Sequence, residues 1–308
     1  MIDLSQMTTE QQNEKSQNLD EMSALEMVTL MNREDEQAIT AVRRILPQIA
    51  KTIEATTECL KHGGRLIYLG AGTSGRLGVL DAVECPPTFG TNPGLVVGLI
   101  AGGDSAFVTA IEGAEDSQTL AEEELRRLSV NEKDIVIGLA ASGRTPYVIH
   151  GLRYARGIGC KTGAIVCNEG SQVAMEAELV MEAIVGPEVL TGSTRLKAGT
   201  AQKMILNMIS TCSMVGIGKV YQNYMVDLKR SNEKLITRSE NIVMVTTGCE
   251  RSEAKLALDE ADGSVKLAIT QILSSLPTEA AAAFLEKAEG KIRLALQLAE
   301  KETKNQKI

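Results

Sequence analysis

Residues 65–87 read RLIYLGAGTSGRLGVLDAVECPP, and this stretch decides the fold. Its first part, 66–69, is a short apolar run with the length and residue types of a buried parallel strand. The run ends in the glycine-rich turn 70–75, after which apolar residues follow at helical spacing. A strand, a glycine-rich turn and a helix in this order direct backbone N–H groups and the positive end of the helix at one point, where phosphates commonly bind. We therefore predict an anion site beside a parallel sheet.

The glycines of this turn also spell the G-x-G-x-x-G of dinucleotide sites, which is a weak signal when it stands alone. The full fingerprint needs an acidic residue roughly 20 positions later, at the end of the second strand. Here the next apolar strand, 95–100, leads to Asp104, which comes too late. Thr73 and Ser74 instead offer two hydroxyls that can bind a terminal phosphate. We therefore expect a phosphomonoester rather than a nucleotide.

Composition argues against several classes of partner. The formal charge of −8 and the pI of about 5.1 disfavour nucleic acid and anionic membrane surfaces. Aromatic residues make up 3% of the chain and Trp is absent, so platforms for base stacking are not expected. No apolar run approaches the length of about 18 residues that a membrane span requires, and the first residues do not resemble a signal peptide. The six cysteines are scattered and form no C-x-x-C pair, so we expect a reduced, cytoplasmic protein.

Apolar spacing predicts alternating strands and helices along the middle of the chain. We expect strands at 66–69, 95–100, 135–140, 163–167 and 179–184. We expect helices at 75–83, 105–128 and 146–157, and a long helix at 197–220 that closes the block. This order is typical of a doubly wound, five-stranded parallel α/β sheet, which binds ligands at the carboxyl ends of its strands.

Both ends of the chain are predicted to be mainly helical. The first 18 residues are polar, and we expect them to be loose. Apolar spacing then predicts helices at 19–31 and 36–62, the second with a kink at Pro47. Three or four short helices are expected between 236 and 301. We divide the chain into an N-terminal helical segment (1–56), an α/β domain (57–220) and a small C-terminal helical domain (221–308).

The third predicted strand ends with the same signals as the first. The turn ASGRTP at 141–146 places Ser142 and Thr145 close to a glycine and ahead of a helix with proline in its first turn. Serine and threonine at such positions are also ordinary helix caps. Two such turns in one sheet favour a shared phosphate site.

Carboxylates are the remaining groups that could do chemistry. Glu84 lies between an apolar helix and a double proline, a poor place for a solvated charge. Glu112 and Glu115 are three residues apart and would share a face of the predicted helix 105–128, although a solvated acidic face is the ordinary alternative. The two histidines lack partners at ligand spacing, so neither a metal site nor a nucleophilic triad is expected. The pattern favours proton chemistry on a sugar phosphate.

Four long motifs carry a resemblance to one family. They are GAGTSGRLGVLDAVECPP (70–87), AGGDSAFVTAIEGAEDS (101–117), ASGRTPYVIHGLRYA (141–155) and TGSTRLKAGTAQKMILNMIS (191–210). Together they closely resemble the N-acetylmuramic acid 6-phosphate etherases of the sugar isomerase (SIS) superfamily, which also includes the glucokinase regulatory protein. The resemblance covers nearly the whole chain and implies an SIS-type fold.

The resemblance implies a lyase that cleaves the D-lactyl ether of N-acetylmuramic acid 6-phosphate to N-acetylglucosamine 6-phosphate and D-lactate. By the family pattern, Glu115 handles the C2 proton and Glu84 protonates the departing lactate oxygen, so one carboxyl must be ionised and the other protonated. Water then adds to the unsaturated intermediate. No metal or organic cofactor is implied.

The resemblance also implies a phosphosugar pocket and a homodimer with a shared site. The residues expected to bind substrate are Gly72, Thr73, Ser74, Ser142, Arg144, Thr145, Ser193 and Lys197. Glu84 lies nine residues past Gly75, which is about 13 Å along a helix, so we hypothesise that it reaches the site of the partner subunit or that the helix bends. A non-catalytic sugar-phosphate-sensing regulatory protein and an aldose–ketose isomerase remain the alternative functions.

Overall fold

The computed structural model describes residues 7–228 and 233–305. The chain forms two compact units, Met1–Val83 with Pro93–Thr211, and Glu84–Asn92 with Cys212–Ile308. No helix within the described residues is long and apolar enough to cross a membrane. Our division of the chain at 56 and 220 stays a prediction.

The first unit contains a five-stranded parallel sheet, as predicted. Its strands are β1 (Leu66–Gly70), β2 (Val96–Ile100), β3 (Ile135–Ala140), β4 (Lys161–Val166) and β5 (Leu179–Glu182), in the order β2-β1-β3-β4-β5. Both β1 and β3 are buried along their whole length, which agrees with their continuous apolar sequences. Gly70 is in register with Ile100 on one side and Leu139 on the other, so the segments after β1 and β3 leave the sheet side by side.

Eight helices accompany or follow these strands in the described chain. They are α1 (Ala24–Arg44), α2 (Leu46–Lys61), α3 (Gly72–Phe89), α4 (Ser105–Val108), α5 (Leu120–Arg127), α6 (Pro146–Gly157), α7 (Gln172–Met175) and α8 (Lys197–Gly216). The predicted division of the N-terminal helices was wrong, because the break lies at Ile45. Pro47 occupies the first turn of α2, where its missing N–H is tolerated and no kink results.

The predicted helix 105–128 was also wrong. After the four residues of α4 the chain makes turns and a 3-10 helix, Ala114–Asp116, before α5 begins. Gly113 has a φ of +77°, a conformation that ends a right-handed helix. Glu112 and Glu115 therefore do not share a helical face.

Glycines in α3 and β2 let α3 lie very close to β1 and β2. A Cβ on Gly75 would lie 2.7 Å from the carbonyl oxygen of Gly70, and one on Gly98 would lie 2.5 Å from the Cα of Val79. Neither position leaves space for a side chain, so these glycines serve helix–strand packing.

The second unit is small and mainly helical. It contains a hairpin of β6 (Val220–Tyr221) and β7 (Tyr224–Met225), followed by α9 (Glu233–Thr247), α10 (Arg251–Glu260), α11 (Val265–Ser274), α12 (Thr278–Lys287) and α13 (Ile292–Asn305). Five helices replace the three or four predicted, with turns at Gly248, Gly263, Pro277 and Gly290 as expected. The core combines branched aliphatic side chains such as Ile242 and Leu258 with small ones such as Ala257 and Ala268. The hairpin was missed because two-residue strands carry no readable alternation.

Candidate active site

The start of α3 carries the first predicted phosphate-binding turn. Gly72 is the first helical residue, with a φ of +52° and no atom within 4 Å of a Cβ placed on it. The Gly75 N–H donates to the carbonyl of Ala71 at 3.0 Å, whereas the N–H groups of the first turn have no partner within the helix. This open N-terminus has the geometry that an anion requires.

The two hydroxyls of this turn have different surroundings. Ser74 is buried, and its hydroxyl donates to the side-chain oxygen of Gln202 on α8 at 2.8 Å. Thr73 is half-buried, and its Cγ2 lies 3.5 Å from a Cβ placed on Gly199. The structure therefore brings the first predicted turn together with the start of α8, which follows the Ser193 motif.

The turn after β3 forms a second helix N-terminus. Gly143 has a φ of +72°, and a Cβ on it would overlap the side chain of Ser171 in the segment after β4. The hydroxyl of Ser142 accepts a long hydrogen bond of 3.4 Å from the N–H of Arg144. Thr145 precedes α6, but its side chain makes no capping hydrogen bond. Its hydroxyl therefore does not serve as a helix cap.

A cavity of about 690 Å³ opens at this turn. Ser142, Gly143 and Arg144 line one side of it, and residues 168–172 line another. Its volume falls in the range of about 300–1,000 Å³ that is usual for small-molecule sites. Among the described residues its lining includes neither the α3 turn nor Thr145, Ser193 or Lys197.

Lys197 belongs to a buried ionic cluster rather than to the surface. Its side chain is 2% exposed, and its Nζ lies 2.7 Å from Glu34 on α1. Glu34 also accepts hydrogen bonds from Lys15 and Asn13, each at 2.8 Å. Burial works to raise the pKa of Glu34, but the hydrogen bonds from Lys15, Lys197 and Asn13 lower it to about 2.

A second buried carboxylate holds the start of α8. Glu188 accepts hydrogen bonds from the N–H groups of Lys197 (3.2 Å) and Ala198 (2.9 Å), and burial raises its pKa. Ser193 lies in the turn just before this helix and is half-buried. Sequence reasoning missed Glu34 and Glu188, and the one available signal was the position of Glu188 in the apolar stretch GPEVL.

The two predicted catalytic carboxylates are both exposed in the single chain. Glu115 lies in the 3-10 helix Ala114–Asp116, which packs against α6. Glu84 lies on α3, where Leu80 is 44% exposed and Val83 is 56% exposed. Residues four apart share a helix face, so Glu84 stands on the same side of α3 as the exposed Leu80.

Arg76 and Cys167 take structural positions. The guanidinium of Arg76 donates to the carbonyls of Ala106 and Phe107 at 2.8 Å, which ties α3 to α4. Burial raises the pKa of Cys167 to about 12, so it is not an activated nucleophile. Within residues 7–228 and 233–305 no group of three His, Cys, Asp or Glu side chains could hold a metal ion.

Comparisons with known proteins point to one family. Residues 48–156 match the model of the glucokinase regulatory protein N-terminal SIS domain, and residues 119–212 match the SIS domain model. An N-acetylmuramic acid 6-phosphate etherase of Histophilus somni is 54% identical over 94% of this chain and 96% of its own. One from Clostridium beijerinckii is 56% identical over 96% and 97%, respectively.

Among solved structures, a phosphoheptose isomerase from Neisseria gonorrhoeae aligns with a TM-score of 0.50 and 17% identity. The match covers 62% of this chain and 98% of that one. At this identity the likeness concerns the fold alone, and it agrees with the parallel sheet of the first unit.

Proposed function

Because the chain belongs to the N-acetylmuramic acid 6-phosphate etherase family, we propose that it cleaves the D-lactyl ether of N-acetylmuramic acid 6-phosphate. The products are N-acetylglucosamine 6-phosphate and D-lactate. The observation that carries the proposal is identity of 54–56% to named etherases over 94–96% of the chain. A cytoplasmic location is consistent with the scattered cysteines.

The chemistry is an elimination followed by addition of water, which makes the enzyme a carbon–oxygen lyase. In the open-chain sugar the C1 aldehyde acidifies the C2 proton. Glu115 removes that proton, the electron pair forms a C2–C3 double bond, and the C3–oxygen bond breaks. Glu84 protonates the departing lactate oxygen, and water then adds at C3 while C2 regains a proton. General acid–base catalysis needs no cofactor for these steps.

The sugar phosphate has two neighbouring helix N-termini available to it. We assign its phosphate to the turns at Gly72–Ser74 and Ser142–Thr145, because these segments leave adjacent strands of the sheet. Arg144 lines the cavity and supplies a positive charge for the phosphate or the lactyl carboxylate. Ser193 lies in the turn before α8, and Lys197 is the first residue of this helix. The buried ammonium of Lys197 contacts Glu34, so we assign Lys197 an indirect part in the site through that contact.

The active enzyme is proposed to be a homodimer in which Glu84 serves the partner's site. Helix α3 is continuous from Gly72 to Phe89, so Glu84 is about 13 Å along it from Gly75. Exposed apolar side chains precede both candidate carboxylates in the sequence, Leu80 four residues before Glu84 and Val108 (87% exposed) seven residues before Glu115. Such surfaces mark protein–protein contacts, and a second copy would cover both.

The proposal is tested by measuring D-lactate release from N-acetylmuramic acid 6-phosphate by wild type and by the Glu84→Gln and Glu115→Gln variants. We expect release by wild type and losses of about a hundredfold or more in each variant, as for general acid–base groups. No release by folded wild-type protein would refute the activity. Mixing Glu84→Ala with Glu115→Ala chains should restore activity in mixed dimers, and its absence there would refute the shared site.

A regulatory function has one observation in its favour, the match of residues 48–156 to the glucokinase regulatory protein domain. That match covers a part of the chain, whereas the etherases match almost all of it. Sugar-phosphate binding without lactate release would favour the regulatory alternative.

A further inference from the structure

The N-terminal strap, which we define as residues 7–18, is an ordered part of the first unit, although the first 18 residues were predicted to be loose; residues 1–6 lie outside the described part of the chain. It contains the 3-10 helices Thr8–Glu10 and Glu14–Ser16. Three of its polar side chains, those of Thr9, Asn13 and Ser16, are buried. Buried polar groups need hydrogen-bond partners, so the positions of these partners show which segments the strap contacts.

One end of the strap is bound to Asn168, the second residue after β4. The Thr8 hydroxyl donates to Asn168 Oδ1 at 2.8 Å, and the Thr9 N–H reaches the same oxygen at 3.4 Å. In return, Asn168 Nδ2 donates to the Thr9 hydroxyl at 2.9 Å. Asn168 and Thr9 are both buried, so the bonds between them are shielded from water, whereas the bond from Thr8 is partly buried.

The same Asn168 amide also holds the turn after β3. Its Nδ2 lies 3.2 Å from the carbonyl oxygens of Ala141 and of Ser142. Asn168 therefore joins the strap to the turn 142–145, and it lines the 690 Å³ cavity together with Met7, Thr8 and Ser142.

The other end of the strap reaches the start of α8. Asn13 donates to Glu34 at 2.8 Å and to the carbonyl of Pro187 at 3.2 Å. Glu34 in turn binds Lys197. A Cβ on Gly192, beside Ser193, would lie 3.3 Å from the carboxylate of Glu10. The strap thus contacts the two segments that carry Ser142 and Ser193.

We propose that the strap and Asn168 form a positioning clamp that holds the turn 142–145 in the conformation that binds the sugar phosphate. Asn168 is a positioning residue because it binds the turn through backbone carbonyls. Thr9 holds the Asn168 amide plane, so that Nδ2 faces those carbonyls. The inference rests on the proposed function, since it assigns the cavity to that substrate.

The clamp predicts an effect on binding that exceeds its effect on chemistry. Loss of one buried hydrogen bond weakens a structure by about 1 kcal/mol, which corresponds to roughly a fivefold change in an equilibrium constant. We therefore expect Thr9→Val to raise KM about fivefold and to change kcat less than about twofold. Asn168→Ala removes the contacts to the strap and to the turn together, and should raise KM more.

The matched control is Thr56→Val. Thr56 is as fully buried as Thr9, but its hydroxyl donates to the carbonyl of Thr52 within its own helix, α2. Both variants exchange one buried hydroxyl for a methyl group. A general loss of stability would affect them alike, whereas the clamp affects KM in Thr9→Val alone.

The experiment measures KM and kcat for lactate release, thermal stability, and direct binding of N-acetylglucosamine 6-phosphate by calorimetry in wild type and these variants. Wild-type release with the same KM in Thr9→Val and Thr56→Val would overturn the clamp and leave the proposed function intact. No wild-type release, with weaker sugar-phosphate binding in Thr9→Val than in Thr56→Val, would overturn the function and support the clamp. Unchanged binding in folded Asn168→Ala protein would also overturn the clamp.

Discussion

Replacing Glu34 by glutamine should destabilise the first unit by about 3 kcal/mol at neutral pH. Glu34 is 5% exposed and accepts hydrogen bonds from Lys15, Asn13 and Lys197. A carboxyl whose pKa is about 2 in the folded protein, against an ordinary 4.5, contributes about 3 kcal/mol when it is ionised. Removing one partner of a buried ion pair independently predicts about 3–5 kcal/mol, because the Lys197 ammonium remains buried and unpaired.

The pH dependence of this loss has a definite sign. Because the folded-state pKa of Glu34 lies below the unfolded value, the stabilisation is complete above pH 4.5 and disappears as the pH falls towards 2. Urea titrations of wild type and Glu34→Gln at pH 7 and pH 3 measure it. The difference in unfolding free energy should be about 3 kcal/mol at pH 7 and smaller at pH 3.

Glu36→Gln provides the control for that prediction, because it removes an exposed carboxylate from the same helix, α1. Surface substitutions of this kind change stability by less than about 0.5 kcal/mol. The reasoning would be refuted if Glu34→Gln were as stable as Glu36→Gln at pH 7. It would also be refuted if the difference in unfolding free energy between wild type and Glu34→Gln grew as the pH falls.

Two further substitutions test the contacts that shape the sheet and its turns. Asp134 is 2% exposed and binds Arg65 at 2.7 Å, so Asp134→Ala should lower the unfolding free energy by about 3–5 kcal/mol in urea titrations, and a loss below about 1 kcal/mol would contradict a buried pair. Gly143→Ala should both raise KM for lactate release and lower the melting temperature, because the methyl group overlaps Ser171 and φ is +72°. Gly157→Ala, in open space at the end of α6, is its control, and equal effects of the two would show that the Gly143 turn is not constrained.

The sequence by itself determined the sheet and its two glycine-rich turns. Central parallel strands are buried on both faces, so β1 and β3 must be continuous apolar runs, and such runs are readable without a structure. The turn at Gly143 was predictable for a similar reason, since glycine readily adopts the backbone conformation found there. The family, too, followed from long local motifs, and the comparisons confirmed it.

Only the tertiary structure decided which polar groups are buried and what they hold. Thr9 and Asn13 belong to a polar segment that looks solvated, and their partners Asn168 and Glu34 are 159 and 21 residues away in the chain. Lys197 was predicted to bind substrate, and only the fold shows that its ammonium is buried against Glu34. Hydrogen bonds and ion pairs between distant residues leave no periodic pattern in the sequence, because each depends on two positions that folding alone brings together.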